Sequence, residues 1–133
     1  MRCAFCHNPD TWNPDDGQQM SAEEIITRFE RNRSFYRTGG MTATGGEPML
    51  QIEFLTELFT LAKEHQIHTC LDTSGIMFPE AAPDAVSDAA AAQSIHRPTM
   101  AQIDRLMAVT DLIMLDIKHI SDPEHRSLTG HSN

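Results

Sequence analysis

The chain has 133 residues, of which 40% are hydrophobic and 22% charged, a composition typical of one globular domain with its own core. Its formal net charge of −9 argues against nucleic acid or an anionic membrane surface as a partner. An odd number of cysteines, three, disfavours a closed disulfide framework and favours a reducing, cytoplasmic setting in which thiols can bind metal. No apolar run approaches the roughly 20 residues of a membrane span.

The first 20 residues contain several turn-forming residues and are predicted to be a loop. Ser21 and Glu24 then form a capping box, which predicts the start of a helix that ends before Gly39. Helical and extended patterns alternate from there, with Thr99 as a cap and Pro123 in the first turn of a last helix. The other predicted elements are strands over 41–44, 67–71 and 112–115 and helices over 50–65 and 99–109.

This alternation predicts an α/β fold with a parallel sheet and right-handed crossovers. The strands are nearly all apolar, which predicts that helices cover both faces of the sheet. Residues 78–98 are rich in alanine and proline and are predicted to be an insertion or linker within a single domain over 1–133. Polar and glycine residues follow each strand, at the edge where parallel α/β folds place their sites.

A Cys-x-x-Cys-His motif, Cys3 to His7, allows three interpretations. It matches the attachment motif of a c-type haem, and it could be half of a zinc site. A zinc site needs a second pair of ligands, whereas Cys70 stands alone in a strand and is expected to be a buried structural thiol. The third interpretation is the last two ligands of an iron–sulfur cluster, and the motif by itself does not choose among the three.

Together with a later loop, the motif resembles the radical S-adenosylmethionine (SAM) superfamily. Members carry Cys-x-x-x-Cys-x-x-Cys after a first strand and Gly-Gly-Glu after a second. Cys3 and Cys6 match the second and third cysteines, and Gly45-Gly46-Glu47 matches the loop. The first cysteine is expected two positions before Met1, so we expect the chain to be a piece, truncated at both ends, of an open partial (β/α) barrel.

Within the superfamily the chain resembles the activating enzymes of pyruvate formate-lyase. The segments that carry this resemblance are 2–12, 42–48, 67–75 and 110–118. Two alternatives within the superfamily are an activase for a different glycyl-radical enzyme and another radical SAM enzyme. An alternative of a different class is a metal- or haem-binding module without catalysis.

The resemblance implies two cofactors, a [4Fe–4S] cluster and SAM, which together form a 5′-deoxyadenosyl radical that takes a hydrogen atom from a glycine of the partner. Because the cofactors carry this chemistry, no general acid or base is expected in the protein. The implied partners are pyruvate formate-lyase and a low-potential electron donor such as flavodoxin, in the cytoplasm, with neither nucleic acid nor membrane. With two cluster thiolates where the family has three, the 133-residue chain by itself is expected to be inactive.

The resemblance also implies a set of site residues. Cys3 and Cys6 are the expected cluster ligands in this chain. The residues expected to bind SAM are Phe5, Cys6, His7, Gly46, Glu47, Asp116, Ile117 and Lys118. A monovalent cation is expected at Asp72, Thr73, Met114 and Asp116.

Overall fold

The computed structural model of the chain describes residues 3–13, 17–36, 38–78 and 97–131. Within these ranges helices and strands alternate as the sequence predicts, and no helix there is long and apolar enough to cross a membrane. The predicted insertion at 78–98 lies outside the described residues except at its two ends. The helices are α1 (Ala22–Arg31), α2 (Ile52–Glu64), α3 (Met100–Ala108) and α4 (Asp122–Thr129), and the strands are β1 (Met41–Ala43), β2 (Thr69–Thr73) and β3 (Leu112–Leu115).

The three strands form one parallel sheet in the order β1-β2-β3, which confirms the predicted α/β class. Thr42 pairs with Cys70, and Leu71 pairs with Ile113. Parallel neighbours require a crossover connection between them, and helices α2 and α3 lie in the two connections. The carboxyl ends of all three strands therefore meet at one edge of the sheet.

The connection into β1 depends on a close backbone approach at Gly40. A Cβ atom there would lie 2.1 Å from the carbonyl oxygen of His68, a clash that only backbone movement could relieve. The amide of Met41 donates to the same carbonyl at 2.8 Å, and this bond starts the pairing of β1 with β2. Glycine is therefore needed where the chain enters the sheet.

Strand β2 begins two residues later than predicted, because Ile67 belongs to the turn that closes the end of helix α2 and not to the strand. The amides of Gln66 and Ile67 donate to the carbonyls of Lys63 and Ala62, at 3.0 and 2.8 Å. Gln66 has a φ of 56°, so the three residues 65–67 form a Schellman motif with an apolar residue after the turn. The buried side chain of Ile67 explains why it has the pattern of a strand residue.

The helix starts follow the predicted caps. Ser21 and Glu24 exchange the two hydrogen bonds of a capping box, at 2.8 and 3.2 Å. Thr99 forms a second capping box with Gln102 at the start of α3. Helix α2 begins at Ile52, two residues later than predicted, because Pro48–Gln51 forms a 3-10 turn first.

The core lies between α2 and the sheet, and here one prediction is wrong. Phe59 on α2 and Leu71 on β2 are fully buried in this core. All four residues of β3 are exposed, although the apolar sequence of this strand predicts coverage on both faces. Strand β3 has a partner on one side in the described sheet, and the helix before it, α3, packs against α2. Burial here follows position in the sheet, so the apolar side chains of β3 remain at the surface.

Candidate functional site

The candidate site lies at the carboxyl edge of the sheet, where three loops follow the three strands. Residues 44–47 follow β1, residues 74–75 follow β2, and residues 116–118 follow β3. The cysteine loop, which we define as residues 3–12, lies against two of these three loops. Phe5 and Thr11 make those contacts.

The first contact joins the cysteine loop to Gly46. The loop includes a 3-10 turn, Pro9–Trp12, which the Thr11 side chain stabilises by donating to the carbonyl of Asn8 at 2.7 Å. A Cβ atom at Gly46 would lie 3.7 Å from the carbonyl oxygen of Thr11. The turn therefore packs on the glycine loop at van der Waals distance.

The second contact joins the cysteine loop to Lys118, after β3. The ammonium group of Lys118 lies 5.6 Å from the ring centroid of Phe5, within the range of a cation–π interaction. The same ammonium pairs with the carboxylate of Asp116, and the amide of Asp116 donates to the carbonyl of Thr73 at 2.9 Å. These contacts connect the end of β3 both to β2 and to the cysteine loop.

Glu47 is the most thoroughly satisfied polar residue of this edge. Its side chain is 6% exposed, and Oε1 accepts from the Thr73 hydroxyl at 2.8 Å and from the Met49 amide at 3.3 Å. Oε2 accepts from the amide and the hydroxyl of Ser74, at 3.1 and 2.7 Å. A buried carboxylate needs such donors, and here they come from Met49 in the following turn, from the last residue of β2 and from Ser74 in the loop after it. Glu47 thus links the loop that follows β1 to the end of β2.

Asp72 and Met114, two residues expected at a cation site, are register partners on β2 and β3. The carboxylate of Asp72 accepts from the hydroxyl of Thr44 at 2.8 Å. Thr73, a third such residue, donates its hydroxyl hydrogen to Glu47, and its carbonyl accepts from the amide of Asp116. The structure brings these residues to neighbouring positions on two strands, next to Asp116.

The two thiols of the cysteine loop have different exposures. Cys3 is buried and Cys6 is half-buried, and the amide of Cys6 donates to the carbonyl of Cys3 at 3.1 Å. His7 is exposed. Among the described residues no three His, Cys, Asp or Glu side chains are grouped as metal ligands, and Cys70 is buried in β2. The loop therefore offers two thiols that fit part of a cluster's ligand set.

Several residues of this edge were not identified from sequence. Thr44 and Ser74 hold the carboxylates of Asp72 and Glu47, and Thr11 packs on the glycine loop. The sequence marks Ser74 only as part of an Asp-Thr-Ser-Gly turn, in which a hydroxyl commonly bonds to nearby backbone. Nothing in the sequence indicates which carboxylate each hydroxyl would bind.

A different carboxylate, that of Asp111, joins β2 to β3 at the opposite edge of the sheet, where the amino ends of the strands lie. It pairs with Lys63 of α2 and accepts from the amide and hydroxyl of Thr69, at 2.9 and 3.1 Å. The hydrogen bond from Lys63, followed by that from the Thr69 amide, lowers the pKa of Asp111 to about 2. This edge contains none of the expected site residues, so Asp111 has a structural role.

The chain belongs to the radical SAM superfamily. A model described as "Radical SAM superfamily" matches residues 1–133. The parallel sheet is consistent with the first part of the (β/α) barrel of that superfamily. Membership implies a [4Fe–4S] cluster and SAM as cofactors.

Within the superfamily the chain is similar to activating enzymes. It is 41% identical over 135 residues to a pyruvate formate-lyase-activating enzyme of Listeria monocytogenes and 42% identical over 137 residues to one of Streptococcus mutans. It is 38% identical over 135 residues to the pyruvate formate-lyase 1-activating enzyme of Escherichia coli. Each match covers 100% of this chain and 48%, 46% and 47% of the respective relative. The chain spans about half the length of the curated relatives it matches.

Proposed function

We propose that this chain carries the cluster- and SAM-binding part of an activase that installs a glycyl radical on pyruvate formate-lyase. The observation that carries the proposal is the contact of one cysteine loop with both Gly46 and Lys118 at the carboxyl edge of a radical SAM sheet. Similarity to relatives named as pyruvate formate-lyase activators supports the choice of partner.

Cys3 and Cys6 are the proposed cluster ligands of this chain, and a third thiolate is expected from a position before Met1. Together with SAM, the bound cluster supplies the one-electron chemistry of the reaction. The chain's own contribution is to hold two thiols on one short loop. The bond between the Cys6 amide and the Cys3 carbonyl supports this role, because it closes the turn that carries both.

Gly46 and Glu47 have complementary proposed roles toward the ammonium group of SAM. Gly46 presents its backbone to the ligand. Because glycine has no Cβ, the ligand can approach this backbone closely. Glu47 contributes negative charge nearby, but its oxygens already accept four hydrogen bonds within the chain. Its main role is therefore to hold the glycine loop in place.

Phe5, Cys6 and His7 are proposed to lie along SAM, with Asp116, Ile117 and Lys118 on its nucleoside or substrate side. Support comes from the contact of Lys118 with Phe5 and from the exposure of Ile117, which leaves an apolar surface for a ligand. Lys118 is proposed to exchange its bond to Asp116 for one to a bound anionic group, since the Asp116 side chain is 46% exposed and water can solvate it when the pair opens.

A monovalent cation is proposed beside the SAM carboxylate, at Asp72, Thr73, Met114 and Asp116. The pairing of Asp72 with Met114 in the sheet supports this proposal. Carboxylate, hydroxyl and carbonyl oxygens are the ligands that such a hard cation prefers. The hydroxyl of Thr44 holds one oxygen of Asp72, which fixes the direction of the carboxylate.

A cytoplasmic location and a low-potential electron donor such as flavodoxin complete the proposal. The net charge of −9 agrees with the expectation that neither nucleic acid nor an anionic membrane is a partner.

The experiment that tests this function is a hybrid protein in which the chain replaces the matching segment of the Listeria monocytogenes relative. After anaerobic reconstitution with iron and sulfide, the hybrid should bind a [4Fe–4S] cluster. With a strong reductant and SAM it should release 5′-deoxyadenosine and produce a glycyl-radical signal on pyruvate formate-lyase. The 133-residue chain alone should release none, because it supplies two loop thiols.

Two matched variants of the hybrid serve as controls. Cys6→Ala should lose iron and 5′-deoxyadenosine release, whereas Cys70→Ala should keep both because Cys70 is buried in β2. A folded hybrid that binds zinc and no iron would contradict the proposed class. Release of 5′-deoxyadenosine without a radical on pyruvate formate-lyase would point to another glycyl-radical partner.

A further inference from the structure

The C-terminal turn of helix α4 holds the backbone of the cysteine loop. The amide of Ala4, between the two cluster cysteines, donates to the carbonyl of Leu128 at 2.9 Å. The last four carbonyls of an α-helix have no partner within the helix, so Leu128 can accept this bond. The position of the loop therefore depends on the conformation of residues 125–131.

A buried histidine fixes that conformation. His125 is 7% exposed, and its Nδ1 lies 2.8 Å from the carbonyl oxygen of His131. A carbonyl only accepts, so Nδ1 carries the hydrogen and donates it. The bond spans the last turn of α4 and encloses Leu128, whose carbonyl binds the cysteine loop.

Thr129 and Gly130 complete this arrangement. The buried hydroxyl of Thr129 donates to the carbonyl of His125 at 2.8 Å and accepts from the amide of His131 at 3.1 Å. Gly130 has a φ of 79°, the left-handed conformation that turns the chain back over the helix end. The turn brings the His131 carbonyl to the His125 ring, where burial also lowers the pKa of the His131 side chain.

We propose that His125 is a positioning residue for the cluster ligands, acting through the Leu128 carbonyl on the Cys3–Cys6 backbone. The inference rests on the proposed function in one respect, that Cys3 and Cys6 bind the cluster. His125 itself is not proposed to touch a cofactor. The His125 ring stabilises the last turn of α4 through its bond to the His131 carbonyl. The Leu128 carbonyl in that turn then accepts from the Ala4 amide, which fixes the backbone between Cys3 and Cys6.

The test measures the reactivity of each cysteine in the metal-free chain. Iodoacetamide is added under native conditions, and mass spectrometry gives a separate rate for Cys3, Cys6 and Cys70. Cys3 and Cys70 are both buried, so Cys70 in β2 reports opening of the core while Cys3 reports release of the loop. Segments of a folded domain open locally without global unfolding, so the two rates can change independently.

His125→Ala should raise the Cys3 rate about tenfold and leave the Cys70 rate unchanged, as expected for loss of one buried bond. His125→Asn should restore a rate close to that of the parent chain, because the asparagine amide can donate to the His131 carbonyl as Nδ1–H does. Ala4→Pro removes the amide hydrogen of the loop itself and should raise the Cys3 rate similarly, with Ala4→Gly as its control.

Two results would overturn the proposal. If the Cys3 and Cys70 rates rise together in His125→Ala, the histidine stabilises the whole fold and does not position the loop. If neither rate changes in His125→Ala and Ala4→Pro, the helix end does not hold the loop. Because the assay uses neither iron nor SAM, its result is separate from success or failure of the hybrid enzyme.

Discussion

Strands β2 and β3 lie side by side and run in the same direction, yet one is buried and the other exposed. Leu71 of β2 is 0% exposed, whereas its register partner Ile113 of β3 is 46% exposed. Strand β2 has a neighbour on each side, while β3 has one neighbour in the described sheet. Strand β3, with the sequence Leu-Ile-Met-Leu, is the more apolar of the two. Position in the sheet, and not hydrophobicity, decides which of them contributes to the core.

The largest expected effect is a contrast in stability between these register partners. Leu71→Ala should lower the free energy of unfolding by about 2–5 kcal/mol, because it leaves a cavity in a closely packed core. Ile113→Ala should cost less than about 1.5 kcal/mol, because nearly half of the side chain is already in water. Urea unfolding of both variants and the parent measures the difference. Equal losses would mean that β3 is covered in solution, and a dependence on protein concentration would then identify a second copy.

An intermediate effect concerns the link between β2 and β3 at the amino edge. The pKa of Asp111 is lowered to about 2 in the folded chain from an ordinary value of 3.8. A lowered pKa stabilises the folded state above pH 3.8, and this stability is lost as the pH falls from 3.8 toward 2. Asp111→Asn should therefore flatten the fall in unfolding free energy over that range.

The control for Asp111→Asn is Asp104→Asn, which changes an exposed carboxylate on α3. It should leave the acid limb of the stability curve as it is in the parent chain. Thermal or urea unfolding at half-unit pH steps gives the comparison. An acid limb in Asp111→Asn identical to that of the parent would show that the bonds from Lys63 and Thr69 contribute little to holding β3.

The smallest effect on stability is expected at the outer surface of β3. Leu115→Lys should change the free energy of unfolding by less than about 0.5 kcal/mol, since the side chain is 58% exposed. A charge on an apolar edge strand should however reduce association between chains, which sedimentation velocity measures. Leu50→Lys is the matched control, because Leu50 is 59% exposed but lies outside the sheet. Equal changes in both variants would show that association does not depend on β3.

Local signals account for most of the elements that were predicted correctly. The capping box of Ser21 and Glu24 locates the start of α1, and Pro123 falls in the first turn of α4. The bounds of β3 agree with the prediction residue for residue. The predicted start of β2 lies two residues before the observed one. The reason is that Ile67, a buried apolar residue after a helix, has the same pattern as the first residue of a strand. Hydrophobicity alone cannot separate these two forms of burial.

For the candidate site, the sequence by itself determined the residue types and their order along the chain. The Cys-x-x-Cys motif, the glycine loop and the strand-end aspartates are local patterns, so each can be identified without knowing its neighbours. Only the tertiary structure decided their partners: Glu47 with Thr73 and Ser74, Phe5 with Lys118, and Ala4 with Leu128. Such contacts join residues far apart in sequence, and their specificity comes from hydrogen-bond geometry and packing in the folded chain. The exposure of β3 has the same origin, because the burial of a strand depends on what lies beside it.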